Sequence, residues 1–239
     1  MSAGKIYAGT SGWAYASWKP KFYPAKLSSK KFLEYYASRL NSVEVNYTFR
    51  AVPTEKLLVS WIEATPPDFK FAIKAHQSIT HFKRLRDAAG VTSEFLDSLQ
   101  PLREAKKLGP VLFQLRGDFK CDVPRLKDFL EGLPRGTQTA FEFRNTSWFC
   151  DEVYDALRKK NASLCQAESD DLETPNVMTA DFSYLRLRKP NYSLNARVEI
   201  AKKVAGLAKK GEVFAYFKHE DTPEGALYAE DLLKAVAKD

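Results

Sequence analysis

Cysteine, histidine and methionine are scarce: three, three and two among 239 residues. Cys121, Cys150 and Cys165 are widely separated, odd in number and form no C-x-x-C pair. That excludes a disulfide framework, predicts no disulfide partner and fits a reducing, cytoplasmic setting. His76, His81 and His219 are too few and too scattered for a histidine-rich metal centre. No stretch of about 18 apolar residues occurs, which excludes a membrane-spanning helix and argues against a membrane partner. The opening residues, Met1 to Ile6, lack the apolar core of a secretory leader. There is no G-x-S-x-G elbow and no glycine-rich loop at a strand-to-helix turn, so neither a serine-nucleophile triad nor a dinucleotide fold is expected. Nor is there a repeat, a low-complexity stretch or a linker, and residues 1–239 read as a single domain.

What the chain does have is 44% apolar residues, enough for a packed core, and strand-like and helix-like segments that alternate to the end. Strands are expected at Ile6–Thr10, Val43–Thr48, Lys70–Ala75, Val111–Leu115, Thr139–Phe143, Ser163–Ala167, Tyr184–Leu187 and Glu212–Phe217. Between them lie helical patterns, the first capped by Ser28 or Ser29, others starting after Pro53-Thr54 and near Thr222-Pro223. Gly109-Pro110 is expected to stop the helix before the fourth strand. Ser169 to Val177 is too short and too polar for a full helix. The expected fold is α/β, a single-domain (β/α)8 TIM-type barrel with the helix after strand six reduced or missing. An open doubly wound sheet is the alternative.

Inside these strands, residues in steps of two separate into an apolar and a polar phase. Glu44 and Asn46 share one phase of strand two, Lys74 and His76 of strand three, Gln114 and Arg116 of strand four, and Glu142 and Arg144 of strand five. Gln166 and Glu168 fall in one phase of strand six, Arg186 and Arg188 of strand seven, and Tyr216 and Lys218 of strand eight. In a barrel of this type such a phase faces inward, and its C-terminal ends line the active site. Buried charges are costly unless paired. Glu44, Glu142 and Glu168 are therefore expected to meet Lys74, Arg144, Arg186 and Arg188, either as a functional site or as an internal network that only holds the fold together.

Several motifs resemble a known family. Gly9-Thr10-Ser11-Gly12-Trp13, Phe22-Tyr23-Pro24, Val43-Glu44-Val45-Asn46 and Thr48-Phe49 are similar to the YecE-like family, a domain of unknown function numbered 72. Ile79-Thr80-His81, Leu108-Gly109-Pro110, Phe113-Gln114-Leu115, Glu142-Phe143-Arg144 and Ser147-Trp148 extend the resemblance over nearly the whole chain. The resemblance implies a (β/α)8-type barrel and no established reaction. Arg188-Lys189, Arg116-Gly117 and Lys218-His219-Glu220 replace the family's His-Gly, proline and Asn pair, and they add positive charge at the expected mouth.

Three readings of the site follow. Formal charge is +7, and Lys74, Arg116, Arg144, Arg186 and Arg188 outnumber the inward carboxylates. This favours an anionic partner: a small phosphorylated ligand, nucleotide or nucleic-acid backbone. In that reading Lys74, Arg144, Arg186 and Arg188 hold phosphate, with Asn46, Gln114 and Tyr216 beside them. Trp13 or Tyr15 stacks on a base, and Glu142 or Glu44 activates water for hydrolysis. The second reading is a sugar-active hydrolase using Glu44 and Glu142 as its carboxylate pair, with Trp13, Tyr15, Trp18 and Trp148 as stacking platforms. The third is a non-catalytic binding barrel. No cofactor is predicted, although Mg²⁺ needs few protein ligands and Glu44 with Glu142 leaves that option open.

Overall fold

The computed structural model describes residues 4–168, 172–218 and 222–237. Strands β1 (Ile6–Thr10), β2 (Ser42–Val45), β3 (Lys70–Lys74), β4 (Leu108–Gln114) and β5 (Thr139–Glu142) come first. They are followed by β6 (Ser163–Leu164), β7 (Gln166–Ala167), β8 (Phe182–Leu187) and β9 (Glu212–Phe217). The helices are α1 (Phe32–Ala37), α2 (Glu55–Glu63), α3 (Ala89–Asp97), α4 (Gln100–Glu104), α5 (Val123–Glu131), α6 (Asp151–Lys159), α7 (Leu194–Ala208) and α8 (Glu224–Val236). Among the described residues none of these is long and apolar enough to cross a membrane.

Every strand pairing is parallel, but the backbone ladder does not run round a closed barrel. It forms two sheets, β2-β3-β4-β5-β6 and β1-β9-β8-β7. One seam falls inside the expected sixth strand. That strand breaks at Cys165, so that β6 pairs with β5 while β7 pairs with β8. The other seam, between β1 and β2, is held largely by side chains. Asn41 accepts from Ala8 N and donates to Ile6 O, and the Tyr36 hydroxyl accepts from Thr10 N and donates to Ser42 O. Gly9 sits at this seam, where a Cβ would lie 1.9 Å from Ser42 O, so only glycine lets the two edges come this close. A single parallel bridge, Ser11 to Glu44, completes the contact.

The apolar residues divide into two cores. The larger lies between strands and helices and takes the inward stripes of the helices, such as Leu126, Phe129 and Leu130 of α5. Asp122 starts α5 by accepting from Arg125 N at 3.1 Å. In α6, Asp151 and Glu152 in the first turn and Arg158 and Lys159 in the last complement the helix dipole. The smaller core draws on both sheets: Tyr7, Ala72, Leu112, Ala140, Cys165, Tyr184, Phe214 and Tyr216. Residues of the expected inward phase of β3, β4, β5, β8 and β9 thus pack together, and the charged residues lie farther along the same phase.

Some expectations change locally. Gly109-Pro110 does not end a helix but lies inside β4, at an irregularity where Phe71 pairs with Leu108 and Ile73 with Val111. A proline without N–H is tolerated at such a bulge. Strand two ends at Val45, and Tyr47–Phe49 forms a 3-10 turn that carries Asn46 out of the ladder. Neither Ser28 nor Ser29 caps α1 directly; a 3-10 turn, Ser29–Lys31, precedes it. Residues 172–181 contain no helix, as the polar composition of this connection suggests.

Candidate functional site

The site grows from Arg186, near the end of β8 and only 3% exposed. Its guanidinium bridges two buried carboxylates, with Nη2 donating to Glu44 Oε1 at 2.8 Å and Nη1 to Glu142 Oε2 at 2.5 Å. Glu44, in β2, also accepts from Ser11 Oγ and Tyr184 OH, each at 2.8 Å. Glu142, the last residue of β5, accepts from Gln114 Nε2 at 2.8 Å and Arg144 Nε at 2.9 Å. The Gln114 bond follows from strand register, which sets Gln114 beside Glu142. Arg188 approaches Glu142 Oε1 at 3.8 Å. Burial alone would raise the Glu142 carboxyl, but Arg186, Arg144, Arg188 and Gln114 outweigh it and hold it well below the usual carboxylate range.

Lys74 ends β3 in the same phase. Its Nζ lies 4.2 Å from the Phe49 ring centroid, and among the described residues no carboxylate comes within ion-pair distance of it. Burial first, then the neighbouring Arg186 and Arg144, push its ammonium down to about 8 against the partial support of Glu44 and Glu142. His81, in a π-helical turn over Ser78–Phe82, packs edge-on against the same Phe49 ring at 4.8 Å. Burial and then Lys74, Arg116 and Arg144 lower its pKa, which favours the neutral imidazole.

Of the expected residues, Glu44, Lys74, Gln114, Glu142, Arg144, Arg186 and Arg188 come together. Tyr216 lies in the small core below them, bonded to Ser42 Oγ at 2.7 Å and packed against Tyr184. Asn46, Trp13 and Tyr15 instead line a cavity of about 430 Å³ with Tyr47 and Trp61, and none of the seven residues above lines it. Asn46 Oδ1 is buried there without a hydrogen-bond partner. Trp18 and Trp148 are fully buried, and Trp148 Nε1 donates to Phe119 O, so both pack and neither offers a face to a ligand.

Four residues of the expected polar phase are elsewhere. Glu168 accepts from Tyr192 OH at 2.5 Å, and Gln166 donates to Asn176. The split at Cys165 turns Cys165 itself into the small core and moves Gln166 and Glu168 off the inward phase. Arg116 is exposed and pairs with Asp118 at 2.8 Å. His76 bonds Ser78 and the Arg50 carbonyl. His219 and Glu220 lie outside the described residues. Ser11, Tyr184, Phe49 and His81 were missing from the expected set. Tyr184 was legible in principle, two residues before Arg186 in the same phase.

Chemically, the network is close to saturated. Each carboxylate oxygen of Glu44 and Glu142 already accepts at least one hydrogen bond, and Arg186 fills the space between the two groups. Glycosidase carboxylates need the scissile bond between them. A Mg²⁺ ion would have to displace Arg186, so the donor set does not suit it. Among the described residues no cluster of three His, Cys, Asp or Glu side chains is arranged to hold a metal ion.

Residues 7–239 match the family model described as "Protein of unknown function DUF72". The chain belongs to this family. It is 32% identical to the UPF0759 protein YunF of Bacillus subtilis (strain 168) over 160 residues, which is 63% of this chain and 54% of YunF. It is 33% identical to the UPF0759 protein YecE of Escherichia coli (strain K12) over 145 residues, 60% of this chain and 50% of YecE. The chain thus spans about half the length of the curated relatives it matches. A DUF72 family protein from Thermotoga maritima MSB8 superposes with a TM-score of 0.87 at 27% identity, covering 98% of this chain and 99% of that one. Membership supports a DUF72-type α/β architecture and brings no reaction with it.

Proposed function

We propose that the strand ends of this DUF72 chain bind a phosphate-containing ligand, a nucleotide or nucleic-acid backbone, in the mouth of a barrel-like arrangement of the two sheets. The observation that carries this reading is an excess of cation. Among the described residues Lys74, Arg144, Arg186 and Arg188 gather around two carboxylates, Glu44 and Glu142, leaving a formal surplus of two positive charges. Arg186 is consumed by the buried bridge and serves as a rigid floor. Among the described residues Lys74 has no carboxylate within ion-pair distance and Arg188 Nη1 has no hydrogen-bond partner, and Arg144 is 41% exposed in its side chain. These three are the groups with charge to spare, and Arg forks match phosphate oxygens. The Trp13–Tyr15 cavity with the unpaired Asn46 oxygen suits a planar ring carrying a donor.

The reading is binding first. Hydrolysis through Glu142 or Glu44 would require a carboxylate to exchange an arginine, tyrosine or amide bond for a water molecule, and both are fully engaged. The test is titration with nucleotides and a short oligonucleotide at low ionic strength. Affinity should fall as salt rises. Arg188→Gln should weaken it by roughly tenfold, the worth of about one charge-assisted hydrogen bond. Absence of binding to either ligand at low salt overturns the reading.

A further inference from the structure

The cavity of about 430 Å³ walled by Trp13, Tyr15, Tyr47 and Trp61 shares no side chain with the charged cluster, and among the described residues none that lines it is charged. Its walls are fixed by bonds that need no ligand. Gly12 takes a φ of +102°, and a Cβ there would lie 2.5 Å from Tyr15 OH, so glycine lets the loop close this tightly. Thr10 Oγ1 donates to Gly12 O at 2.7 Å, Tyr15 OH to Ser11 O at 2.9 Å and Tyr23 OH to Trp13 O at 2.6 Å. The Trp13 ring meets Trp61 edge-on at 5.4 Å. Tyr47 stands on the 3-10 turn, which Thr48 ties to β3 by donating to Lys74 O at 2.7 Å. Its side chain is 53% exposed, so this wall is an aromatic group that packing of the fold does not require.

Asn46 supplies the amide of this cavity. It holds the N-cap position of the turn, where an asparagine oxygen ordinarily accepts a backbone N–H. Here it makes no cap bond, and its Oδ1 is buried without a hydrogen-bond partner among the described residues. A carboxamide whose oxygen is left untied can turn its acceptor and its donor to a ligand. Asparagine pairs in that way with the N6–H and N7 of adenine. Flat bases stack on aromatic side chains without any charge on the protein. A sugar, by contrast, would bring several hydroxyls to a lining that offers one amide. We propose that this cavity takes an adenine ring, stacked on Tyr47 and Trp13 and read by Asn46. The choice of a nucleotide base rests on the nucleotide reading above; the stacking and the amide pairing rest on the cavity alone.

The test is calorimetric titration of the intact chain with adenosine, adenosine monophosphate and purine riboside, which keeps N7 but lacks the N6 amine. Adenosine should bind with an affinity that salt leaves unchanged, because an uncharged ligand meets an uncharged cavity. Purine riboside should bind roughly five- to tenfold more weakly, the worth of about one hydrogen bond, and Asn46→Ala should erase that difference. Tyr47→Ala, which removes an exposed ring and leaves the core intact, should weaken adenosine roughly tenfold, the worth of one stacked base. Equal affinity for adenosine and purine riboside overturns the proposal, and that comparison needs no variant. Binding of a methyl glucoside in place of adenosine assigns the rings to a sugar and also overturns it. If adenosine fails to bind while the monophosphate binds in a salt-sensitive way, the base site falls and anion binding stands. If adenosine and its monophosphate bind equally at low salt, the base site stands and the anion reading falls.

Discussion

Arg186 illustrates what a single buried side chain does here. Its guanidinium bridges two buried carboxylates, one 0% and one 2% exposed, and offsets one of their two negative charges. Removing one partner of a buried ion pair leaves an uncompensated charge. Arg186→Met is therefore expected to destabilise the chain by about 3–5 kcal/mol, measured by urea unfolding at neutral pH. Adding Glu44→Gln and Glu142→Gln to that variant should recover part of the loss, because the charges left behind disappear; no recovery would mean that the arginine acts through packing alone. Lys107 shows a different solution. Buried at 4% exposure and with no carboxylate partner among the described residues, it donates to Ile62 O, Thr65 O and Thr65 Oγ1 and so satisfies the carbonyls at the end of α2. Periodicity does not separate these two cations, since both are charged residues next to apolar runs. What separates them is the strand phase of one and the turn position of the other.

At the scale of elements, the helices were more legible than the strand ends. The apolar stripe of α5 and the dipole-matched charges of α6 are local patterns that need no knowledge of the fold. Asp122 both caps α5 and pairs with Arg125 at 2.8 Å, so Asp122→Ala should cost about 1 kcal/mol in thermal or urea unfolding without altering the strand-end site. A loss of ligand binding in that variant would show that α5 bears on the site. Strand boundaries were harder because they depend on partners. Gly109-Pro110 has the composition of a helix stop, yet β3 accepts it as a bulge. Ser163 to Ala167 reads as one strand, yet it serves two sheets and reverses the expected facing of Gln166 and Glu168.

For the whole molecule, the site is also the keystone between sheets. Glu44 belongs to one sheet and Arg186 and Tyr184 to the other, and Arg186 returns to Glu142 in the first. Ionisation of this network should therefore govern acid unfolding. The Glu142 carboxyl is held below its ordinary value in the fold, so its contribution is present above the unfolded carboxyl pKa of about 4.5 and is lost as pH falls toward the lower folded value. Wild type should lose stability steeply below about pH 4.5, while Glu142→Gln should be less stable at neutral pH and show a shallower acid dependence. Identical acid profiles for the two would remove Glu142 from the account of stability.

The sequence by itself determined most of the residues that carry charge into the interior, Glu44, Lys74, Glu142 and Arg186 among them, because a strand's alternation assigns side chains to faces before any fold exists, although Glu168 and Arg116 fall outside it. It also determined the order of strands and helices and, through motifs spread along the chain, the family. Tertiary structure alone decided how those charges are used. Whether an inward glutamate has a proton to give, or a lysine one to lose, depends on what stands across the gap from it. For Glu142 and Lys74 the decisive neighbour, Arg186, comes from a strand more than 40 residues away in either case. Local pattern cannot count partners across that distance, and so it placed Glu142 and Lys74 in one phase. The packed sheets gave Glu142 three hydrogen-bond donors and, among the described residues, gave Lys74 no carboxylate within ion-pair distance.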